Sequence, residues 1–310
     1  MKHTKVEEIL NGVNSVIIGK EQIVKYCLVS FLAGGHVLLE DVPGVGKTTL
    51  AKAIAGVSGC DFGRIQFTPD TMPSDVTGVN IFHMETGQFE YMPGAVMHSV
   101  VLADEINRTS PKTQSSLLEA MEEGQVSVDG KTYPLAKPFF VIATQNHVDS
   151  LGTYHLPEAQ LDRFLMKLSL GYPQNMEEEK MMGQFLHNTN WKEINAVSNA
   201  EELQEMQQQV REILVKDDIL HYVQQILFQT RNSELVQLGA SPRAGLALLR
   251  AAQALAYVDG KDFVTPDHII ELLAPVLSHR IVLSSEATIK KLPVEKVLSS
   301  LRLKVKVPVL

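Results

Sequence analysis

The chain has 310 residues, of which 45% are hydrophobic and 21% are charged, so it can bury a core of ordinary globular size. Its net charge of −8 provides no overall positive field, which disfavours nucleic acid and anionic membranes as partners. The two cysteines, Cys27 and Cys60, fit neither a metal-ligand spacing nor a disulfide framework, which favours a reducing compartment. Because the first residues lack the apolar core of a signal peptide, we expect a soluble cytoplasmic protein without a membrane span.

Five short apolar runs in the first part of the chain have the length and composition of buried strands. Helical patterns follow the first and third runs, and the second helix is bounded by Ser110 as N-cap, Pro111 and Gly124. Strands that alternate with helices predict an α/β fold with a five-stranded, mostly parallel sheet covered on both faces. The runs are HVLLE (36–40), RIQF (64–67), VVLAD (100–104), FFVIAT (139–144) and FLMKLSL (164–170).

Two segments between these strands interrupt the alternation. Residues 124–135 have a strand-like period around Asp129 and Gly130, which is a strong signal for a two-residue hairpin. Residues 70–95 form a second extended insertion with a turn at Thr86 and Gly87. Insertions of this kind often contact partners, although a plain surface excursion explains them equally well.

The pattern changes after Tyr172 and Pro173, where apolar residues recur three and four positions apart, as in helices. We therefore predict two domains, an α/β core at 1–172 and a small all-helical domain at 173–310. The last residues, 301–310, alternate like an edge strand or a docking tail, and both interpretations stay open.

The segment LLEDVPGVGKTTLA (38–51) joins the first predicted strand to a helix. Such a loop directs backbone N–H groups and the helix dipole at one point, and Gly44 and Gly46 let the backbone curl around an anion. Lys47 then reaches the β- and γ-phosphates of a nucleotide, and Thr48 offers its hydroxyl to magnesium. The phosphate-loop pattern has glycine where this chain has Asp41, and we expect a short polar residue to tolerate unusual backbone angles there. A glycine-rich turn without a ligand is the alternative.

Two acids end the third predicted strand in SVVLADE (99–105). At the tip of a neighbouring parallel strand, Asp104 can hold magnesium while Glu105 polarises an attacking water. Two acids after a strand are more often a solvated turn, but their position downstream of the loop lysine favours the site.

Three further polar residues are candidates for the same chemistry. Asn146 ends the fourth strand in FFVIATQN, where a positioned amide can orient water or sense the γ-phosphate. Arg163 in LPEAQLDRF and Arg243 in SPRAG are candidates for the positive charge that phosphoryl transfer requires. The alternatives are a turn asparagine and two surface arginines in ordinary ion pairs.

The motifs DVPGVGKTT, LADEINR, VIATQNH, LPEAQLDRF and GASPRAG together resemble the MoxR family of AAA+ ATPases, over roughly residues 15–250. The family's fold, an AAA+ P-loop core plus a small helical lid, agrees with the boundary predicted near residue 172. The resemblance implies that the insertion at 70–95 is the family's helix-2 insert and that 124–135 is its pre-sensor-1 hairpin. His147 departs from the pattern, since proline is common at that position.

The resemblance also implies the cofactors ATP and Mg²⁺ and a role for each candidate. Lys47 and Thr48 match Walker A, Asp104 and Glu105 match Walker B, and Asn146 matches sensor 1. Arg163 matches the arginine finger that acts on the neighbouring subunit's ATP, and Arg243 matches sensor 2. The nucleotide-binding set is Ile18 and Gly19 near the adenine, Asp41, Val42, Pro43, Gly44, Val45, Gly46, Lys47, Thr48, Thr49 and Arg243.

Members of the MoxR family form rings, usually hexamers, and are thought to activate or assemble partners, often proteins with a von Willebrand factor A domain. We therefore expect a homo-oligomeric, chaperone-like ATPase. One alternative is a nucleotide-gated scaffold with little turnover, and a second is a nucleic-acid-remodelling motor. The acidic balance and the absence of a basic run with interleaved aromatics disfavour the motor. A GTPase is disfavoured because the sequence lacks an Asn-Lys-x-Asp run.

Overall fold

The computed structural model describes residues 2–145, 154–173, 175–186 and 194–308. Asn146 and His147 lie outside the described residues. Within the described part, no helix is both long and apolar enough to cross a bilayer.

A five-stranded parallel sheet forms the centre of the first part, which confirms the sequence prediction. Its spatial order is β2-β5-β8-β1-β9, and all four neighbouring pairs run parallel. Each strand is short, and all but β2 are almost fully buried, as expected where helices cover both faces. The strands are β1 (Val37–Glu40), β2 (Phe62–Gln66), β5 (Val100–Asp104), β8 (Phe140–Gln145) and β9 (Met166–Leu168).

Six α-helices lie among the described residues of the same part of the chain. The helix at Pro111–Glu123 has the predicted boundaries, since Ser110 Oγ accepts the N–H of Thr113 at 3.4 Å and Gly124 follows with φ +63°. The helices are α1 (Lys2–Asn14), α2 (Glu21–Leu32), α3 (Lys47–Val57), α4 (Pro73–Thr77), α5 (Pro111–Glu123) and α6 (Glu158–Leu161).

Both interrupting segments contain antiparallel hairpins, β3 (Gly78–His83) with β4 (Gln88–Pro93) and β6 (Gln125–Val128) with β7 (Lys131–Pro134). The second hairpin turns at Asp129 and Gly130, which both have positive φ, as a tight two-residue turn requires.

The two hairpins contact each other through their side chains. The rings of Tyr91 and Tyr133 stack with centroids 3.9 Å apart, and Asn80 Nδ2 donates to Asp129 Oδ2 at 2.8 Å. The first hairpin also exposes several large apolar side chains, namely Val79, Ile81, Phe82, Met84, Phe89 and Met92.

Helices dominate the second part of the chain, as the apolar spacing predicts. The structure adds a two-stranded antiparallel ribbon that the sequence reading missed, because strands of two or three residues carry too little pattern. The helices are α7 (Asn175–Leu186), α8 (Ala200–Arg211), α9 (Asp217–Arg231), α10 (Pro242–Val258), α11 (Pro266–Leu277), α12 (Ser285–Ile289) and α13 (Val294–Arg302), and the ribbon strands are β10 (Val236–Leu238) and β11 (Val282–Leu283).

The end of the chain is not a strand where it is described. Helix α13 extends to Arg302, and residues 304–308 then line a cavity of about 540 Å³ together with α9. Val305 packs against the hydrophobic core, so a docked tail is the alternative that agrees with the structure.

Two hydrophobic clusters lie on opposite faces of the sheet, and alternate residues of each strand enter each cluster. On β1, Val37 and Leu39 join the larger cluster, whereas Leu38 joins the smaller one. The larger cluster continues through α2 into α10, where Leu248 and Leu255 are fully buried. The sheet and the helical part therefore share one continuous apolar core.

His36 immediately precedes β1, and its imidazole hydrogen-bonds to strand β8 and to helix α5. Its Nδ1 accepts the N–H of Val141 at 3.1 Å, so the proton is on Nε2, which donates to the carbonyl of Met121 at 3.3 Å. Burial lowers the pKa of His36 from 6.5 to about 4, because a charged imidazole would lose its hydration there.

We expect stability to fall as the pH drops from 6.5 towards 4, since the unfolded chain binds a proton at His36 in this range and the folded chain does not. His36 alone should contribute about 2 kcal/mol of destabilisation between about pH 7 and pH 4.5. Urea denaturation at both pH values measures this change. His36→Gln should show a shallower pH dependence, whereas the control His221→Gln, at an exposed position, should match the unmodified protein. Equal slopes for all three proteins would refute the assignment.

Candidate active site

The loop after β1 has the backbone of a phosphate-binding turn. Gly44 and Gly46 have φ values of +86° and +94°, which residues with a Cβ rarely adopt. A Cβ at either glycine would meet no protein atom within 4 Å, so backbone angle rather than close packing accounts for them. Gly46 immediately precedes α3, whose first N–H groups have no partner within the helix and face the loop.

Lys47 begins α3 and is 8% exposed. Its Nζ lies 3.3 Å from the backbone carbonyl of Asp41, across the mouth of the loop. Thr48 and Thr49 follow in the first turn and are both half-buried. The amine and the Thr48 hydroxyl therefore lie beside the first N–H groups of α3, as binding of a triphosphate requires.

Asp104, the last residue of β5, and Glu105, which follows it, lie at the same end of the sheet as this loop. Strand β8 separates β5 from β1, so the ends of β5 and β1 are about 10 Å apart, which a triphosphate with its metal can span. Thr144 on β8 fixes both acids. Its hydroxyl donates to Asp104 Oδ1 at 2.7 Å and accepts the N–H of Glu105 at 2.8 Å.

Glu105 has an unusual backbone for a residue with a side chain, with φ +58° and ψ +49°. This left-handed angle costs roughly 1 kcal/mol or more, and such strain is characteristic of functional sites. The hydrogen bond from the Glu105 N–H to the Thr144 hydroxyl holds the strained turn.

Three side chains that the sequence reading missed engage the acids. Arg64 Nη2 lies 2.8 Å from Asp104 Oδ2, Gln66 Nε2 donates to Glu105 Oε2 at 3.1 Å, and Arg108 Nη1 donates to the same oxygen at 2.8 Å. Arg64 and Gln66 are the exposed alternate positions of β2, which pairs with β5 in register Gln66 to Asp104. The alternation of polar and apolar residues in RIQF (64–67) was the sequence signal that could have identified Arg64 and Gln66.

Asp41 is buried, and its carboxylate points away from the loop interior. Oδ1 accepts from Ser169 Oγ at 2.7 Å and from Gly171 N at 3.0 Å, while Oδ2 accepts from Leu170 N at 2.6 Å. Asp41 is not among the described residues with positive φ, so its backbone does not use the tolerance that we expected of a short polar residue. Its side chain, rather than its backbone angle, distinguishes it from glycine.

The stretch at Ile18 and Gly19 approaches the start of the helical part. Gly19 has φ +70°, and a Cβ there would lie 2.0 Å from the side chain of Glu177 on α7. Lys20 Nζ donates to the carbonyl of Tyr172 at 2.9 Å. Ile18 is half-buried beside them.

Arg163 and Arg243 lie together near the amino ends of the strands, at the end of the sheet opposite the phosphate loop. Arg163 precedes the amino end of β9, where Leu165 N donates to the carbonyl of His36 at 2.8 Å, next to the amino end of β1. Lys47 follows the carboxyl end of β1. Because the strands are parallel, the length of the sheet separates the two arginines from the phosphate loop of the same chain.

Glu122 at the end of α5 joins the two arginines. Its carboxylate accepts from Arg163 Nη1, and its Oε1 lies 3.2 Å from Arg243 Nη2. Arg163 Nη1 also donates to the carbonyl of Leu118 at 3.1 Å, and Arg243 Nε lies 3.6 Å from Asp162 Oδ2. A cavity of about 340 Å³ lies against Arg163 and Glu122, and the buried Nε of Arg163 has no hydrogen-bond partner among the residues that the structure describes.

Asn146 lies outside the described residues, so its role stays a prediction. The residue before it, Gln145, ends β8 at the edge that carries Lys47 and Asp104.

These groups fit a magnesium-bound nucleotide. The loop presents backbone N–H groups in an open turn, Lys47 carries a positive charge beside them, and Thr48 and Asp104 carry oxygen atoms of the kind that magnesium prefers. Fold and site together define a P-loop ATPase of the AAA type with a helical lid.

Comparison with known proteins agrees with this class. The family model described as "ATPase family associated with various cellular activities (AAA)" matches residues 36–166, and that of the AAA lid domain matches residues 228–300. The chain is 40% identical over 96% of its length to "Chaperone MoxR1" of Mycobacterium tuberculosis, covering 80% of that protein. It is 30% identical over 91% of its length to "Protein MoxR" of Paracoccus denitrificans, covering 90% of that protein. The chain belongs to the MoxR family of AAA+ ATPases.

Two further proteins are similar over their whole length. "Uncharacterized protein YeaC" of Bacillus subtilis is 49% identical over 99% of this chain and 96% of its own. A crystal structure from Cytophaga hutchinsonii, of a protein with a provisional ATPase name, superimposes with a TM-score of 0.92 at 35% identity. That superposition covers 99% of this chain and 96% of the other.

Proposed function

We propose that this MoxR-family protein hydrolyses ATP within a homo-oligomeric ring and uses the resulting motion to activate or assemble partner proteins. The observation that carries the proposal is the separation of the catalytic groups. Lys47, Asp104 and Glu105 lie at one edge of the sheet, and Arg163 and Arg243 lie at the other. A single chain therefore does not combine the two halves, whereas a ring brings the arginines of one subunit to the phosphates of the next.

Each residue at the loop edge has a distinct task in this proposal. Backbone N–H groups of Val42, of residues 44–46 and of the start of α3 bind the phosphates, and Lys47 neutralises their charge. Glu105 orients the attacking water and accepts its proton, and Asn146, which follows β8 in the sequence, holds that water. Magnesium, held by Thr48 and Asp104, supplies further positive charge when it is bound.

In the ring, Arg163 and Arg243 of one subunit supply positive charge to the ATP bound by the next subunit. Arg163 contacts the γ-phosphate as charge builds up in the transition state, and Arg243 contacts the same nucleotide. In the isolated chain both are paired with Glu122, so they are held close together before a neighbour's phosphate replaces that carboxylate. Six subunits are the expected ring size.

The two stacked hairpins are the surface that we assign to the client. Their exposed apolar side chains provide contact area, and the Tyr91–Tyr133 stack joins them into one unit. A protein with a von Willebrand factor A domain is the expected partner. We assign the activity to the cytoplasm, which the two unpaired cysteines support.

A nucleotide-gated scaffold with little turnover is the second candidate. Gln66 and Arg108 both donate to Oε2 of Glu105, so these two contacts compete with a water molecule for that oxygen. ATP turnover measured with the assembled ring and its partner separates the two functions, because the scaffold binds ATP under these conditions without measurable turnover.

The assembly requirement is tested by diluting the protein. We expect ATP turnover per subunit to rise steeply with protein concentration, in step with the mass measured by light scattering, because each site lacks its arginine until a neighbour binds. Turnover per subunit that is constant from monomer to ring would refute catalysis between subunits.

A further inference from the structure

Every polar group of Asp41 is engaged, and each contacts a different part of the fold. Its N–H donates to the carbonyl of Gln145 at 3.2 Å, at the end of β8. Its carbonyl lies 3.3 Å from Lys47 Nζ. Its carboxylate, in a residue only 5% exposed, accepts the three bonds from residues 169–171. Asp41 thus connects the sheet, the phosphate-binding amine and the segment after β9.

A glycine at this position could not make the third connection. Two of the three donors are backbone N–H groups, and hydrogen bonds to an ionised carboxylate are among the stronger ones in proteins. These hydrogen bonds fix residues 169–171, which follow the end of β9 and lie beyond its strand pairing. The departure from the phosphate-loop pattern therefore provides a side-chain contact that the pattern itself lacks.

The same segment is held from a second side. Lys20, next to Ile18 and Gly19, donates to the carbonyl of Tyr172, directly after the residues that Asp41 holds. Residues 169–172, which we call the strap, are therefore bound by the phosphate loop and by the residue next to Ile18 and Gly19, the pair that the family resemblance places near the adenine. The strap leads into α7, where Glu177 packs against Gly19.

We propose that Asp41 is a positioning residue that couples phosphate binding at Lys47 to the strap, and through the strap to the helical part of the chain. This inference rests on the proposed function, because it requires ATP at the loop. When Lys47 turns towards a phosphate, its contact with the Asp41 carbonyl changes, and the carboxylate on the same residue transmits the shift to residues 169–171.

The unmodified protein provides the first test. Amide hydrogen exchange at Leu170 and Gly171 should slow or quicken by about tenfold when ADP or a non-hydrolysable ATP analogue binds. Unchanged exchange at both amides, with binding confirmed by calorimetry, would overturn the coupling while leaving ATP binding intact. A failure of both nucleotides to bind would instead overturn the proposed function.

Two variants then separate coupling from loop shape. Asp41→Asn keeps the size of the side chain and loses its charge, and Asp41→Gly restores the glycine of the pattern. We expect both to bind ATP within about threefold of the unmodified protein, to lose about tenfold in kcat, and to lose the nucleotide effect on strap exchange. Full activity in Asp41→Gly would show that the side chain has no coupling role.

Asp61→Asn is the matched control. Asp61 also accepts a backbone N–H, that of Ser99 at 2.9 Å, but it does so at the amino ends of β2 and β5. We expect this variant to retain kcat and the nucleotide effect on the strap. Equal losses of kcat in Asp41→Asn and Asp61→Asn would indicate a general structural defect and would refute the assignment.

Discussion

Arg163→Ala should lower ATP turnover of the assembled protein by about 10³-fold, the lower end of the range for loss of an arginine finger. Arg163 and the phosphate loop of its own chain lie at opposite edges of the sheet, so the loss falls on the neighbour's site. ATP binding should change little, because Lys47 and the loop N–H groups are untouched. Turnover is measured at protein concentrations where light scattering shows a ring.

Mixing subunits makes the result decisive. Arg163→Ala subunits keep Lys47, and Lys47→Ala subunits keep Arg163, so activity should return when the two inactive proteins are combined. In an equal random mixture, one half times one half, or about a quarter, of the interfaces carry both groups. The control Arg250→Ala, on the exposed face of α10, should leave turnover unchanged. No recovery in the mixture would mean that Arg163 has only a structural role.

Glu105→Gln should reduce turnover by about 10² to 10⁴-fold, the usual contribution of a positioned general base, while ATP binding is retained. Glutamine keeps the shape and can still accept hydrogen bonds from Gln66 and Arg108, so the turn after β5 should survive. Single-turnover kinetics with labelled ATP measures the loss, and calorimetry measures the affinity.

The ATP affinity of Glu105→Gln is compared with that of Lys47→Ala. Lys47→Ala should abolish nucleotide binding, because it removes the cation that faces the phosphates. Equal losses of ATP affinity in Lys47→Ala and Glu105→Gln would contradict the role of Glu105 as base. If the prediction holds, Glu105→Gln with ATP keeps the ring in its client-bound state, and a pull-down under these conditions identifies the client.

The sheet and the phosphate loop were predictable because they follow from local patterns. Runs such as VVLAD are buried on both faces and read as strands, and the glycines at 44 and 46 mark the left-handed turn before the helix that contains Lys47. The convergence of Lys47 and Asp104 then follows from topology alone, since parallel strands place their carboxyl ends at one edge.

Pairings between distant side chains were not predictable in the same way. Glu122 lies on an amphipathic helix with several exposed acids, and the sequence pattern does not distinguish one of them from another. Only the packed fold brings Glu122 to Arg163 and Arg243. The contacts of Asp41 with residues 169–171 span most of the sheet domain in sequence. Such contacts depend on three-dimensional register, which no local periodicity encodes.

The apolar core shared by the sheet and the helical part limits how this ATPase can move. Swinging the two parts apart would bring Phe31, Leu248 and their neighbours into water, at roughly 25 cal/mol for each square ångström uncovered. Sliding of α10 over α2 by a fraction of a helical turn keeps those side chains covered. Each ATP cycle should therefore move α10 over α2 by a short distance while the two parts stay packed together, rather than open a wide gap between them.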